Sequence, residues 1–247
     1  MKKRQLLGWL LMGLAVLPGI FSERTPSYED LEKEVHVPAV LPKEPDKYVA
    51  LTFDDGPRAS TTGKLLDGLR ERGASATFFL VGEQLSVNRE LVLRMKQEGH
   101  QVGNHTWSHQ CLKEESYSVA TEAVQKTDRL LQQLLGEGVY WLRPPYGLLT
   151  QEQKSWFTVP LVHWSLDTED WKLKNVQADI QAVLSRVQPG DIILMHDTVP
   201  ESVEAALQIV DALQEEGYLF VTVEELLMLE GVTPKAGVLY RSAYVQN

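Results

Sequence analysis

A single cysteine, Cys111, stands in 247 residues. That scarcity excludes an internal disulfide and any metal site built on paired cysteines, and the residue itself reads as a small, half-buried apolar side chain. Beyond its first residues the chain has no run of lysine or arginine, and its formal net charge is −10. A protein that tracks phosphates normally presents a basic patch, so a nucleic-acid partner is excluded and a neutral or cationic one is easier to accommodate. No segment repeats another. With 43% hydrophobic and 23% charged residues, the composition is neither that of a disordered chain nor that of a polytopic membrane protein.

One long apolar run is present. In "MKKRQLLGWLLMGLAVLPGIFS" a basic tip at Lys2, Lys3 and Arg4 precedes apolar residues from Leu6 through Phe21, the pattern of an export signal. Residues 1–22 are therefore expected to be a signal peptide or an N-terminal membrane anchor, which places the protein outside the cytoplasm, secreted or tethered to the outer face of the membrane. Ile20 to Ser22 is a poor small-residue cleavage site, so a tether stays open, and no cysteine follows the run to take a lipid. Residues 23–46 are polar, with Pro26, Pro38, Pro42 and Pro45 spread through them, which is linker composition.

From Lys47 onward short β-like runs alternate with amphipathic helical stretches. "YVALTF", "ATFFLV", "HQVGN", "YWLRPPY", "VPLVHWSLD", "DIILMHD" and "YLFVTV" read as strands. Between them, stretches such as "STTGKLLDGLRERG", "SYSVATEAVQKTDRLLQQLLG" and "ESVEAALQIVDALQEEG" carry apolar residues at helical spacing. Repeated βα units with apolar strands predict a parallel sheet closed, or nearly closed, into a barrel over residues 47–230, with 231–247 as a C-terminal tail. In such barrels functional groups collect where strands end. "FDDG", "GNHTWSH", "LRPPYG", "SLDTEDW" and "LMHD" each follow a predicted strand, and five strand ends bearing acids, histidines or an arginine are more than turn chemistry requires.

The strand "YVALTF" runs straight into two adjacent carboxylates, Asp54 and Asp55, then Gly56-Pro57. Such residues are also common in turns. His105 and His109 are four apart, which in a helical turn puts both imidazoles on one side. The pair of acids supplies what two histidines lack: one carboxylate to complete a two-His-one-carboxylate metal site, the other to take a proton from water. Neighbouring strand residues point to opposite faces, but a strand end broken by Gly56-Pro57 lets both acids turn into one site.

Together the five segments resemble the polysaccharide deacetylases of carbohydrate esterase family 4, the NodB-homology domain, over about residues 47–230. The resemblance implies an α/β fold in the form of a distorted, incomplete (β/α) barrel and a metal-dependent de-N-acetylase. "TFDDGP" is similar to the family's first motif, which makes Asp54 the general base and Asp55 a metal ligand. "HTWSH" supplies His105 and His109 as the remaining ligands. "RPPYG" implies that Arg143 holds and tunes Asp54 while the backbone N–H of Tyr146 helps bind an oxyanion. "DTEDW" implies that Asp170 orients the acid histidine and Trp171 walls the acetyl pocket, and "LMHD" makes His196 the general acid and Leu194 part of that pocket. One divalent ion is implied, Zn²⁺ first, with Co²⁺ or Mn²⁺ able to substitute.

The expected partner is an acetylated glycan polymer or oligomer, with the N-acetylglucosamine residues of peptidoglycan as the first substrate; no protein partner is inferable. Chitooligosaccharides and acetyl-xylan would suit the same chemistry. A non-catalytic glycan-binding module would be expected to have lost the base or a ligand, and a glycosidase would use paired carboxylates without two metal-spaced histidines. His100 reads as structural, and His36 and His163 are set aside. Asp167 is kept as a supporting residue, Asp197 reads as a turn or cap residue, and Trp107 and Trp164 read as packing residues.

Overall fold

A computed structural model describes residues 47–244. The expected signal or anchor and the proline-bearing linker lie outside the described residues. Eight strands follow one another as β1 (Tyr48–Asp54), β2 (Thr77–Leu80), β3 (Gln101–Asn104), β4 (Leu161–Val162), β5 (Leu166–Asp167), β6 (Ile192–His196), β7 (Leu219–Phe220) and β8 (Leu239–Tyr240). The main sheet runs β3-β2-β1-β6-β5, with β7 paired to the start of β1, and β4 and β8 form a separate pair. All of these pairings are parallel. The intervening helices, among them Thr62–Glu71, Tyr117–Leu135 and Pro200–Glu215, cover the sheet as βα crossovers require.

Alternation along β1 explains both the core and the site. Val49, Leu51 and Phe53 pack outward beneath the helices with Leu65, Leu69 and Ile209. Ala50 faces the other way, into a cluster with Phe79, Val162 and Ile192. Thr52 and Asp54 continue that inner side, because successive side chains point to opposite faces. The β1–β6 register sets Thr52 opposite Leu194 and Asp54 opposite His196. Two ionisable groups thus finish adjacent strands at the same level.

The barrel is incomplete, as expected. Leu142 joins β3 to β4 through single-residue bridges to Asn104 and Leu161, and Asp191 bridges Ser242. "YWLRPPY" is accordingly not a strand: Pro144 and Pro145 have no N–H to give a ladder, and Pro145–Gly147 forms a 3₁₀ turn instead. "VPLVHWSLD" is split into β4 and β5, with His163 to Ser165 between them outside any strand. "YLFVTV" is a strand only at Leu219–Phe220, because Thr222 caps the helix Val223–Leu229 in a reciprocal capping box with Glu225. The segment expected to be a tail carries β8: the His163 N–H donates to the Tyr240 carbonyl at 2.7 Å, and Ala243 is buried.

Candidate active site

Asp54 is the last residue of β1, and Asp55 follows it at φ 72°. That left-handed conformation, which Asp adopts more readily than most residues, turns the second carboxylate back toward the first. Gly56 comes next because nothing larger fits: a Cβ there would strike the carboxylate of Asp197. Asp197 is fully buried and accepts a hydrogen bond from Thr62 Oγ1. It makes no bond to the neighbouring imidazole and braces the Asp-Asp turn from below, in keeping with a turn residue. Burial lifts its carboxyl to about 7.

The histidine pair converges by a different route from the helical turn expected. Residues 105–110 lie outside any helix, and Thr106 and His109 stand at φ 67° and 57°. Asn104, the last residue of β3, fixes this loop. Its Oδ1 accepts the Thr106 N–H at 2.7 Å, and its amide donates to the Val124 carbonyl and to Asp128 on the helix Tyr117–Leu135. His105 Nδ1 lies 2.7 Å from the Arg143 carbonyl. A carbonyl only accepts, so Nδ1 carries the proton and Nε2 presents its lone pair to the site.

Three ligand atoms then meet. His109 Nε2 lies 3.3 Å and His105 Nε2 3.6 Å from Asp55 Oδ1, an oxygen that is buried and has no hydrogen-bond partner among the described residues. Burial and the neighbouring His105 hold His109 below the ordinary imidazole value, so it is neutral near pH 7. A buried orphan carboxylate oxygen facing imidazole lone pairs is a donor set that fits a divalent cation. The His105–His109 rings are tilted, 4.9 Å apart, and Tyr146 meets His109 edge-on at 4.8 Å.

Arg143 is completely buried. Its Nη1 donates to Asp54 Oδ1 at 2.8 Å and to Thr52 Oγ1 at 2.7 Å, and its Nη2 to the His163 carbonyl at 2.8 Å. The guanidinium lies over Phe79, 4.2 Å from the ring centroid. Burial pushes the Asp54 carboxyl up, but the charges of Arg143, His105 and His196 outweigh it and hold the group below the usual carboxylate range. Asp54 is therefore ionised, with Oδ1 tied to Arg143 and Oδ2 facing the site, 3.6 Å from His105 Nε2.

His196 ends β6. Asp170 grips it twice, Oδ1 accepting from Nδ1 and Oδ2 from the His196 N–H, both at 2.7 Å. Burial alone would lower this imidazole, but the Asp170 hydrogen bond and the charges of Asp170, Asp54 and Asp55 prevail and push it up to about 9. Its Nε2 points at the site, 4.0 Å from Asp55 Oδ2. Leu194 forms the buried floor of a cavity of about 240 Å³ among these groups, with half-exposed Trp171 and Tyr146 on the rim.

All ten residues singled out in the sequence meet here. Three contributors were missed. Thr52 and Asn104 sit inside strand patterns, where a polar residue looks like ordinary alternation. Trp164, read as packing, lines the same cavity, and nothing in its local sequence separates it from a core tryptophan. Asp167 ends β5 and accepts the Glu169 N–H, outside the cavity. His100 is structural, its Nδ1 accepting the Ala76 N–H.

Comparison with known proteins follows the geometry. A family model described as polysaccharide deacetylase matches residues 42–157. The chain is 36% identical over 200 residues to the peptidoglycan-N-acetylmuramic acid deacetylase PdaC of Bacillus subtilis, covering 79% of this chain and 43% of that protein; it thus spans less than half the length of PdaC. It is 33% identical over 208 residues to a peptidoglycan-N-acetylglucosamine deacetylase of Bacillus cereus, covering 81% of this chain and 96% of the relative. Among solved structures, a family 4 acetyl xylan esterase from Clostridium thermocellum in complex with a cobalt ion superposes with a TM-score of 0.76 at 32% identity, over 81% of this chain and all of that one. With a relative matched along nearly its whole length and a shared fold, the chain belongs to the polysaccharide deacetylase family.

Proposed function

We propose that the protein is a metal-dependent deacetylase that hydrolyses the N-acetyl group of N-acetylglucosamine residues in peptidoglycan. The observation that carries the reading is the juxtaposition of Asp55, His105 and His109 with an ionised acid, Asp54, on one side and the Asp170–His196 pair on the other. The three-residue cluster would hold the cation, with zinc first and cobalt or manganese able to replace it. When bound, such an ion supplies Lewis-acid polarisation of a carbonyl and acidification of water.

The chain's own groups perform the rest. Asp54 Oδ2 takes a proton from water as its oxygen attacks the acetyl carbonyl carbon. Arg143 keeps that carboxylate ionised and aimed, and the Tyr146 N–H would donate to the developing oxyanion. As the carbon–nitrogen bond breaks, His196 Nε2 gives its proton to the departing amine, and Asp170 stabilises the charged imidazole beforehand. Acetate and a free amino sugar leave. An amine is a poor leaving group unless protonated, and a histidine protonated at neutral pH answers that need. Leu194 and Trp171 would bound the acetyl methyl group.

Two of the relatives are named as peptidoglycan deacetylases, and the apolar N-terminal run would deliver the chain to that polymer, outside the cytoplasm. Mass spectrometry of peptidoglycan fragments and chitooligosaccharides tests the reading. Loss of acetyl groups with chain length intact supports it, shortened chains would point to a glycosidase, and release of acetate only from acetyl-xylan would replace the amide substrate by an ester.

A further inference from the structure

Trp164 lines two cavities. One is the site described above; the other, of about 520 Å³, lies across the indole and is bordered by Arg186, Arg241 and the exposed Leu173. Arg241 also borders a third hollow of about 250 Å³, which Lys154 enters. Trp164 and Arg241 are thus the shared walls of three neighbouring hollows that bear three cationic side chains, in a chain whose net charge is −10.

Among the described residues, none of the three makes an ion pair. Arg186 donates to the carbonyls of Ala182 and Asp167 at 3.1 and 3.4 Å, Lys154 to the side-chain amide of Gln151 at 3.2 Å, and Arg241 to His163 Nδ1 at 3.0 Å. The same His163 nitrogen lies 3.1 Å from the Trp164 carbonyl; a guanidinium cannot accept and a carbonyl cannot donate, so the ring serves one of these contacts at a time and offers Arg241 no negative charge. Burial chiefly, helped by Arg241, lowers His163 to about 4. Two acids border the same hollow, and neither is bonded to Arg186 or Arg241 through its carboxylate: Asp167 accepts the Glu169 N–H at 2.9 Å and Glu169 pairs with Lys172 at 3.4 Å. Two guanidiniums pinned to neutral acceptors keep their charge and forked donors free for an anion.

We propose that this groove is a subsite for a carboxylate-bearing substituent of the glycan, on a residue next to the one being deacetylated, with Arg186 and Arg241 as its anchors and Lys154 beyond them. The inference rests on the deacetylase reading and narrows it, since muramic-acid residues and their peptide stems carry carboxylates that chitooligosaccharides and xylan backbones lack.

The test compares wild type with R186Q/R241Q on two substrates of equal length, a neutral N-acetylglucosamine oligomer and an oligomer containing muramic acid with free carboxylates. In wild type the ratio of kcat/KM for the acidic over the neutral glycan should exceed one and fall with added salt. The double variant should lower that ratio about fivefold, through KM, the scale for solvent-accessible guanidinium–carboxylate pairs. Calorimetric titration of the acidic oligomer should show the same loss in affinity without relying on turnover. An unchanged ratio and an unchanged affinity in the variant would overturn the subsite while leaving the deacetylase reading standing. Failure of wild type to deacetylate either glycan would sink that reading first, and the titration would still decide whether the groove binds carboxylates.

Discussion

Replacing Asp170 by Asn removes one charge and leaves the shape of the His196 clamp nearly intact. In the wild type the imidazole stands at about 9, against an ordinary 6.5. The interval is worth roughly 3 kcal/mol, at about 1.4 kcal/mol for each pH unit. Burial, the largest single influence, acts downward and remains in the variant, so Asp170→Asn should bring His196 to or below the ordinary value. At pH 8 the protonated fraction would fall from about nine-tenths to a few per cent. The alkaline limb of the kcat–pH profile should accordingly move down by about 2.5 pH units. A divalent ion at Asp55 would lower both end points together and leave the interval between wild type and variant. The assay is a full pH–rate profile on an N-acetylated oligomer, paired with an activated aryl acetate whose leaving group needs no proton. His196→Ala should damage amide hydrolysis far more than ester hydrolysis. Refutation is a variant that loses kcat with its alkaline limb unmoved, or a His196→Ala enzyme equally crippled on both substrates; either result makes Asp170 and His196 positioning residues only.

The adjacent acids should part company: Asp54→Asn keeps its metal by elemental analysis and loses about 10²–10⁴-fold in rate, whereas Asp55→Asn loses metal as well, and equal metal content in both would undo the assignment. His105→Ala should abolish stoichiometric metal, and in the wild type a chelator should remove activity that zinc, cobalt or manganese restores. Asp197 gives a stability prediction whose sign is opposite to that of a salt-bridged acid. Its folded value near 7 lies above the ordinary 3.8, so the unfolded chain ionises first and stability falls as pH rises from about 4 through 7. Asp197→Asn should flatten that slope and raise the melting temperature at pH 8, by up to a few kcal/mol in stability; an unaltered slope by thermal melts would show that Asp197 is ionised in the fold.

The βα alternation and four of the five strand ends were legible because each rests on local chemistry: apolar runs make buried parallel strands, and polar groups follow where they end. The extent of the weak strands was not, and β8 was missed altogether. Leu142, β4 and β8 contribute one or two residues each to pairing, too few for any periodicity, and the partners of β8 are remote in sequence. The histidine spacing singled out two rings that do converge, through a geometry other than the helical turn expected, since residues four apart can meet in a loop when Thr106 and His109 take left-handed backbone angles. Trp164 and the arginines beyond it were invisible for a related reason. What distinguishes them is which cavity they border, and that depends on the pairing of β8 with β4.

The register that sets Asp54 beside His196 has an evolutionary consequence. Neighbouring strands lie about 4.8 Å apart because backbone hydrogen bonds fix that spacing, so the separation of the proposed base and acid is held by the main chain and is insensitive to drift in helix packing. The residues that would choose a substrate sit elsewhere: Tyr146 in a turn, Trp171 in a one-turn helix, Arg186 past a helix end and Arg241 past the last strand. Insertions and exchanges there can redirect a lineage from one acetylated polymer to another while the hydrolytic machinery stays untouched.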